Sequence, residues 1–316
     1  MTTEATARSV PFQRRNQTTE KSSMTRRRSA LMATVEGYAF LLPSLVLVVG
    51  LIYVSIAANI VYSTWQWNGV SPTHQTIGFD NYIRLAADPT FWRALANTLL
   101  FGLIAVFTQL LLGFALAVLV RTRSYGTGLL RTLLFVPVVL SPAVVATSFR
   151  LLLTPDGQFN ELLRLIGVPA EVPWVADPNI ALFSLAVINI WQYTGYSFVI
   201  YDAALGQLDA SVLEAARVDG ASTGQLIRHI VFPLLRGSHL ILIVLGFIGA
   251  LKTFELVFLI TGGGPGTSTE FLTTYIYRQV VTQFNAGYGA ALSMALVGVA
   301  LLFAVLQVRL TRANNS

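Results

Sequence analysis

Two groups of side chains in this sequence have the types and the spacing to meet a solute. Asn189, Gln192, Tyr193 and Tyr196 follow one another at i, i+3, i+4 and i+7, so a helix carries all four on one face. Neutral amides and phenols donate to and accept from hydroxyl groups, and an aromatic ring packs on the apolar face of a pyranose, so this set suits a sugar. Trp191 points elsewhere on the same turn and reads as a packing residue. Lys252 and Glu255 stand at i, i+3 in another apolar run, where they would share a face and neutralise each other. Charges at such a depth are expensive unless paired or wetted, so the pair reads as an internal brace, a charged cavity wall or a direct solute contact.

Bond-making chemistry has little to stand on. The absence of cysteine excludes disulfides, thiolate metal sites and a cysteine nucleophile. The two lysines, Lys21 and Lys252, follow Glu20 and Leu251, so no Gly-Lys pair of a phosphate-cradling loop exists and the chain cannot be its own P-loop ATPase. His74, His229 and His239 fall in separate loops without metal spacing and read as solvated or interfacial. No HExxH and no convincing GxSxG elbow supports a hydrolase.

The elements that must position these residues are set by composition. Charged residues are 11% of the 316, against about 25% in an ordinary soluble domain. Mean hydropathy is +0.64, more apolar surface than a water-soluble globule of 34.4 kDa can enclose. The chain therefore reads as an integral membrane protein. Crossing roughly 30 Å of hydrocarbon takes about 20 apolar residues in a helix, the open structure that satisfies its own backbone in lipid. Charge-free runs lie from Gly37 to an apolar end near Tyr62, and over Ala94–Val120, Thr132–Phe149, Pro178–Tyr201 and Gln279–Val308. A sixth apolar run, Leu240–Ile260, is interrupted by Lys252 and Glu255. Six transmembrane helices and an all-α class follow, with Pro137 and Pro142 kinking the third. The first span is too long for a signal peptide and reads as a retained anchor.

Residues 1–34 carry seven basic residues among Thr, Ser and Gln, a composition that cannot bury a core and reads as a disordered tail. It is an orientation signal that touches anionic membrane lipid, not a nucleic-acid binder. With the tail inside, fifteen basic residues lie on that side against five outside, which places both termini in the cytoplasm. Residues 35–316 then form one six-helix domain.

The loop over residues 207–237, between the fourth and fifth spans, is too long and too patterned for a plain connector. Ser211 stands three residues before Glu214, the spacing of a capping box, and an apolar run continues to Val218. Gly220 supplies a turn, and Leu226, Ile227, Ile230 and Val231 form a second amphipathic stretch before Pro233. Glu214 either docks a partner or caps its own helix through Ser211.

At these residues the chain resembles the membrane subunits of bacterial ATP-binding-cassette importers, whose cytoplasmic loop reads Glu-Ala-Ala, three residues, Gly, then an Ile-x-x-Pro-like ending. Here that is Glu214, Ala215, Ala216, Gly220 and Ile230 to Pro233. Phe40 to Ser44, Gly78 to Leu85 with Asn97 and Thr98, Asp219 to Ala221, and TGGGPGTSTE at Thr261 to Glu270 are similar to the carbohydrate-importer permeases of the MalF and UgpA kind. The resemblance implies a type I importer permease fold in the bacterial inner membrane. It also implies a second permease subunit, two ATPase subunits that bind the ATP, and an extracytoplasmic solute-binding protein. The loop residues Glu214, Ala215, Ala216, Asp219, Gly220 and Pro233 would couple to the ATPase. Two positions depart from the pattern: Asp209 replaces a common proline and reads as an N-cap, and Asp202 replaces an apolar residue and reads as reaching the membrane surface.

The sequence therefore predicts a non-catalytic permease of an ATP-driven sugar importer, with polyols or glycerol phosphates as other solutes within that class. The alternative is a self-sufficient transporter driven by an ion gradient, with Asp202, Lys252 and Glu255 as coupling groups.

Overall fold

A computed structural model describes residue 38 and residues 40–122, 126–168 and 171–313; the basic tail expected over residues 1–34 lies outside them. The chain divides into two units, Met1–Ala58 and Asn59–Ser316. The described part of the first unit belongs to α1 (Phe40–Tyr62), which contains a π-helical stretch at Val49–Tyr53.

The second unit is almost entirely helical, apart from two short antiparallel strands, Trp65–Gln66 and Gln75–Thr76. A short helix α2 (Asp80–Ala87) leads into α3 (Pro89–Arg121). Asp88 caps α3 by accepting from Thr90 N–H at 2.8 Å, and Pro89 opens its first turn, where a missing N–H is harmless. The buried face of α3 is a run of small residues that includes Ala94, Gly102, Ala105, Gly113 and Ala117, which lets α7 (Ala181–Leu205) and α10 (Arg236–Lys252) pack close to it.

Between α3 and α7 the expected kinked span is a broken one. Helices α4 (Thr127–Val139) and α5 (Pro142–Leu152) meet at 91°. Pro142 occupies the first turn of α5, and Leu140 and Ser141 are extended, so the break is a proline-started second helix, sharper than a kink. A short α6 (Gln158–Leu165) follows.

Beyond α7 come α8 (Ala210–Val218) and α9 (Thr223–Leu234), then α10, the six-residue α11 (Glu255–Ile260), α12 (Leu272–Tyr277) and the long α13 (Ala286–Ala313). Among the described residues, three helices (α1, α3 and α13) are long and apolar enough to cross a membrane unaided, and up to five spans result if each bent pair, α4–α5 and α9–α10, counts as one.

Candidate functional site

Helix α7 is the centre of the site. Its four predicted residues, Asn189, Gln192, Tyr193 and Tyr196, line one cavity of about 520 Å3, together with Lys252 and Glu255. Val138, Pro142, Leu242, Leu245 and Leu256 supply apolar wall from the neighbouring helices. Trp191 turns away, as its position on the helix predicts, and meets Phe149 edge to face at 5.2 Å.

Two of the polar residues are held from behind. Gln109, 7% exposed on α3, donates from Nε2 to Asn189 Oδ1 at 2.9 Å and to the Asn189 carbonyl at 3.1 Å. Gln192, 2% exposed, donates from Nε2 to the Leu140 carbonyl at 3.1 Å, which is the acceptor freed by the break between α4 and α5. Gln109 was not among the predicted site residues; the one sequence signal for it is a lone glutamine in a charge-free run whose other polar side chains are Asn97, Thr98 and Thr108.

The Lys252–Glu255 pairing does not form as predicted. Helix α10 ends at Lys252, Thr253 is extended, and α11 restarts at Glu255, so the i, i+3 spacing does not describe one helical face. Among the described residues no ion pair joins them. Each charge instead stands where a helix end favours it, Lys252 in the last turn of α10 and Glu255 in the first turn of α11. The break also exposes backbone: Thr273 Oγ1 donates to the Thr253 carbonyl at 2.6 Å. Irregular backbone at this depth is tolerated where it lines a cavity.

The segment after α7 forms a platform with an inner and an outer face. Ala216, Leu226, Val231 and Leu235 are buried with Val120, Phe198 and Tyr201 of α3 and α7. Glu214, Ala215, Asp219, Gly220 and Pro233 are exposed, and Val218 is 86% exposed. Asp209, not Ser211, caps α8: its carboxylate accepts from Ser211 N–H at 2.9 Å, which holds it below the usual carboxylate range. Ser211 thus lies inside the first turn, and the capping box belongs to α9, where Ser222 N–H donates to Gln225 Oε1 at 2.8 Å. Gly220, at φ +83°, ends α8 in a Schellman turn, with Ala221 N–H donating to the Ala216 carbonyl at 3.0 Å and Gly220 N–H to the Arg217 carbonyl at 3.1 Å.

Asp202 sits at the same end of α7. Its carboxylate takes Arg121 Nε and Arg131 Nε, each at 3.0 Å, and its side chain is 14% exposed. His239 is likewise not simply solvated: Nδ1 meets Tyr201 Oη at 2.6 Å and Nε2 meets the Phe232 carbonyl at 3.0 Å.

The segment after α11 is tied to the far end of α3. Asn97 Nδ2 donates to the Thr267 and Glu270 carbonyls at 3.1 Å each, and Leu272 N–H donates to Thr98 Oγ1 at 3.2 Å. Glu270 is fully buried, paired with Arg278, and accepts from Thr274 Oγ1 at 2.7 Å. Nearby, Tyr275 and Tyr288 both donate to the Asp88 carboxylate. Burial pushes that carboxyl up, but the two phenols and the Thr90 and Phe91 amides outweigh it and leave it below its ordinary value.

Residues 109–315 match the family described as binding-protein-dependent transport system inner membrane component. The chain belongs to this family. The permease is similar to the probable ABC transporter permease protein PH1215 of Pyrococcus horikoshii, with 36% identity over 83% of this chain and 91% of that one. It is also similar to the lactose transport system permease protein LacF of Rhizobium radiobacter, with 31% identity over 92% of this chain and 95% of that one. A solved bacterial ABC transporter for import of the acidic polysaccharide alginate superposes with a TM-score of 0.79 at 24% identity, over 91% of this chain and 99% of that chain, and so shares the fold. The ion-gradient alternative has no support in this family, and Asp202, one of its three coupling groups, is neutralised by two arginines in the permease. No cluster of metal-ligating side chains exists among the described residues.

Proposed function

We propose that the chain is the permease subunit of an ATP-driven, binding-protein-dependent sugar importer and forms half of its translocation pathway. The observation that carries this reading is the cavity, where two amides, two phenols and apolar wall converge at a broken helix. Its chemistry suits a polyhydroxyl solute of sugar size, and the relative named for lactose transport supports a sugar. Six spans serve this function. Helix α7, with 25 residues, is about 37 Å long, enough to cross, and turns its polar face to the cavity.

The partners are a second permease that completes the cavity wall, a binding protein that delivers sugar from outside, and two ATPases beneath that carry out all ATP chemistry. Both termini lie in the cytoplasm. The exposed face of α8 and its turn, with Glu214, Ala215, Asp219 and Gly220, docks on the ATPase, while Ala216 anchors the inner face and Pro233 starts the turn toward the membrane. A carboxylate at Glu214 offers an arginine on the ATPase a charge-assisted hydrogen bond. Alternating access follows if ATP and the loaded binding protein stabilise different conformations.

The test uses the complete importer in liposomes. Asn189→Leu and Tyr193→Ala are each expected to reduce sugar uptake by about tenfold, the loss of one hydrogen bond of roughly 1.4 kcal/mol, with the complex still assembled. Unchanged uptake of every sugar by both variants would remove the cavity from the pathway. Glu214→Arg tests docking separately: the ATPase is expected to be lost on co-purification while the permease keeps its melting temperature, and retained ATPase overturns the docking role.

A further inference from the structure

Helix α4 is attached in an unusual way: none of its residues is buried, yet it runs along the whole cytoplasmic half of α7. Three points fix its register, and they run antiparallel. Gln192 holds the Leu140 carbonyl at 3.1 Å beside the cavity. In the middle, Gly195 lets the Leu134 carbonyl approach so closely that a Cβ would lie 1.9 Å from its oxygen. At the cytoplasmic end, Arg131 Nε pairs with Asp202 at 3.0 Å. Residues 192, 195 and 202 lie at i, i+3 and i+10, one stripe of α7.

Asp202 also reaches a third helix. Arg121, the last residue of α3, donates from Nε to the carboxylate at 3.0 Å and from Nη2 to the Asp202 backbone carbonyl at 2.5 Å. One carboxylate therefore joins the ends of α3, α4 and α7 immediately above the platform of α8 and α9, whose buried residues pack on Val120 and Tyr201 of two of those helices.

We infer that Asp202 is a positioning residue that clamps α3, α4 and α7 into one body, so that displacement of the coupling segment reaches the α4–α5 break and the cavity wall at Pro142. The inference rests on reading residues 207–237 as the segment that meets the ATPase. Without the carboxylate, Arg121 and Arg131 lose their shared counter-charge and α4 is left on its two upper attachments. The platform's core does not involve Asp202, so docking is untouched.

The chain has no native cysteine, which permits spin labels at Gly128→Cys on α4 and Gln207→Cys after α7, both exposed. The distance between them is measured in the assembled importer, with and without ATP plus vanadate. In the parent a single distance is expected in both states, because the labelled ends move together. Asp202→Asn is expected to add a second, longer population in at least one state while ATPase co-purification and melting temperature persist, and Asp202→Glu is expected to restore the single distance. An Asp202→Asn distribution that matches the parent overturns the inference, as does loss of the ATPase or of the fold, which would make Asp202 a merely structural residue. Failure of the coupling reading shows instead as ATPase retained by Glu214→Arg, so the two are told apart.

Discussion

Asp202 and Glu270 are both carboxylates held by arginine, and they lie at opposite ends of α3. Thr98, the tenth residue of α3, and Arg121, its last, lie 23 residues and about 35 Å apart along the axis. Their surroundings differ. Glu270 is fully buried, with Thr274 on one oxygen and Arg278 on the other, in a segment that Asn97 and Thr98 also fasten. Asp202 keeps 14% of its side chain exposed, and its arginines keep 37% and 46%. Breaking a buried pair leaves an uncompensated charge, whereas a solvated pair loses little. The end with α12 is thus secured by energy, and the Asp202 end is joined by contacts that water can replace at small cost.

The comparison sets an order of expected effects. Glu270→Ala leaves Arg278, 34% exposed, without its partner and Thr274 without its acceptor, and is expected to lower stability by about 3 kcal/mol, the low end for a buried pair, visible as a drop in detergent melting temperature; a drop under about 1 kcal/mol would erase the contrast. Asp88→Ala, which removes the acceptor of Tyr275 and Tyr288, is expected to cost about 2 kcal/mol at neutral pH. Because the Asp88 carboxyl is lowered from 3.8 in the fold, its contribution is complete above about pH 4 and is lost as the pH falls through the folded value. Parent and variant melting temperatures should therefore converge in acid; a constant gap would show that protonation of Asp88 is not what acid removes. Asp202→Asn is the smallest in this measure, at most about 1 kcal/mol, and its effect belongs to motion.

What the sequence could show depended on how local each feature was. The platform was legible because Glu214, Ala215, Ala216 and Gly220 lie within seven residues of one another, and the turn at Gly220 formed as its type demands. Of the two caps read for α8, Asp209 formed and Ser211 did not, because the aspartate directly precedes the first helical residue and its carboxylate reaches Ser211 N–H. The α7 face was legible from its 3.6-residue period, and its four residues do share one cavity. Lys252 and Glu255 also reach that cavity, but the period that paired them presumes an unbroken helix, and Thr253 breaks it. Gln109 and Asn189, Arg131 and Asp202, and Asn97 and the Glu270 segment are separated by 80, 71 and 173 residues, so no window on the sequence could join them.

The two back-supported amides leave the cavity with a direction. Gln109 occupies the oxygen end of Asn189, so the NH2 is the freer end and offers hydrogens; Leu140 occupies the nitrogen end of Gln192, so the oxygen is the freer end and offers lone pairs. One turn of helix therefore presents a donor and an acceptor in fixed sequence. A hydroxyl can meet either one, whereas an ether oxygen, which only accepts, can meet Asn189 but not Gln192.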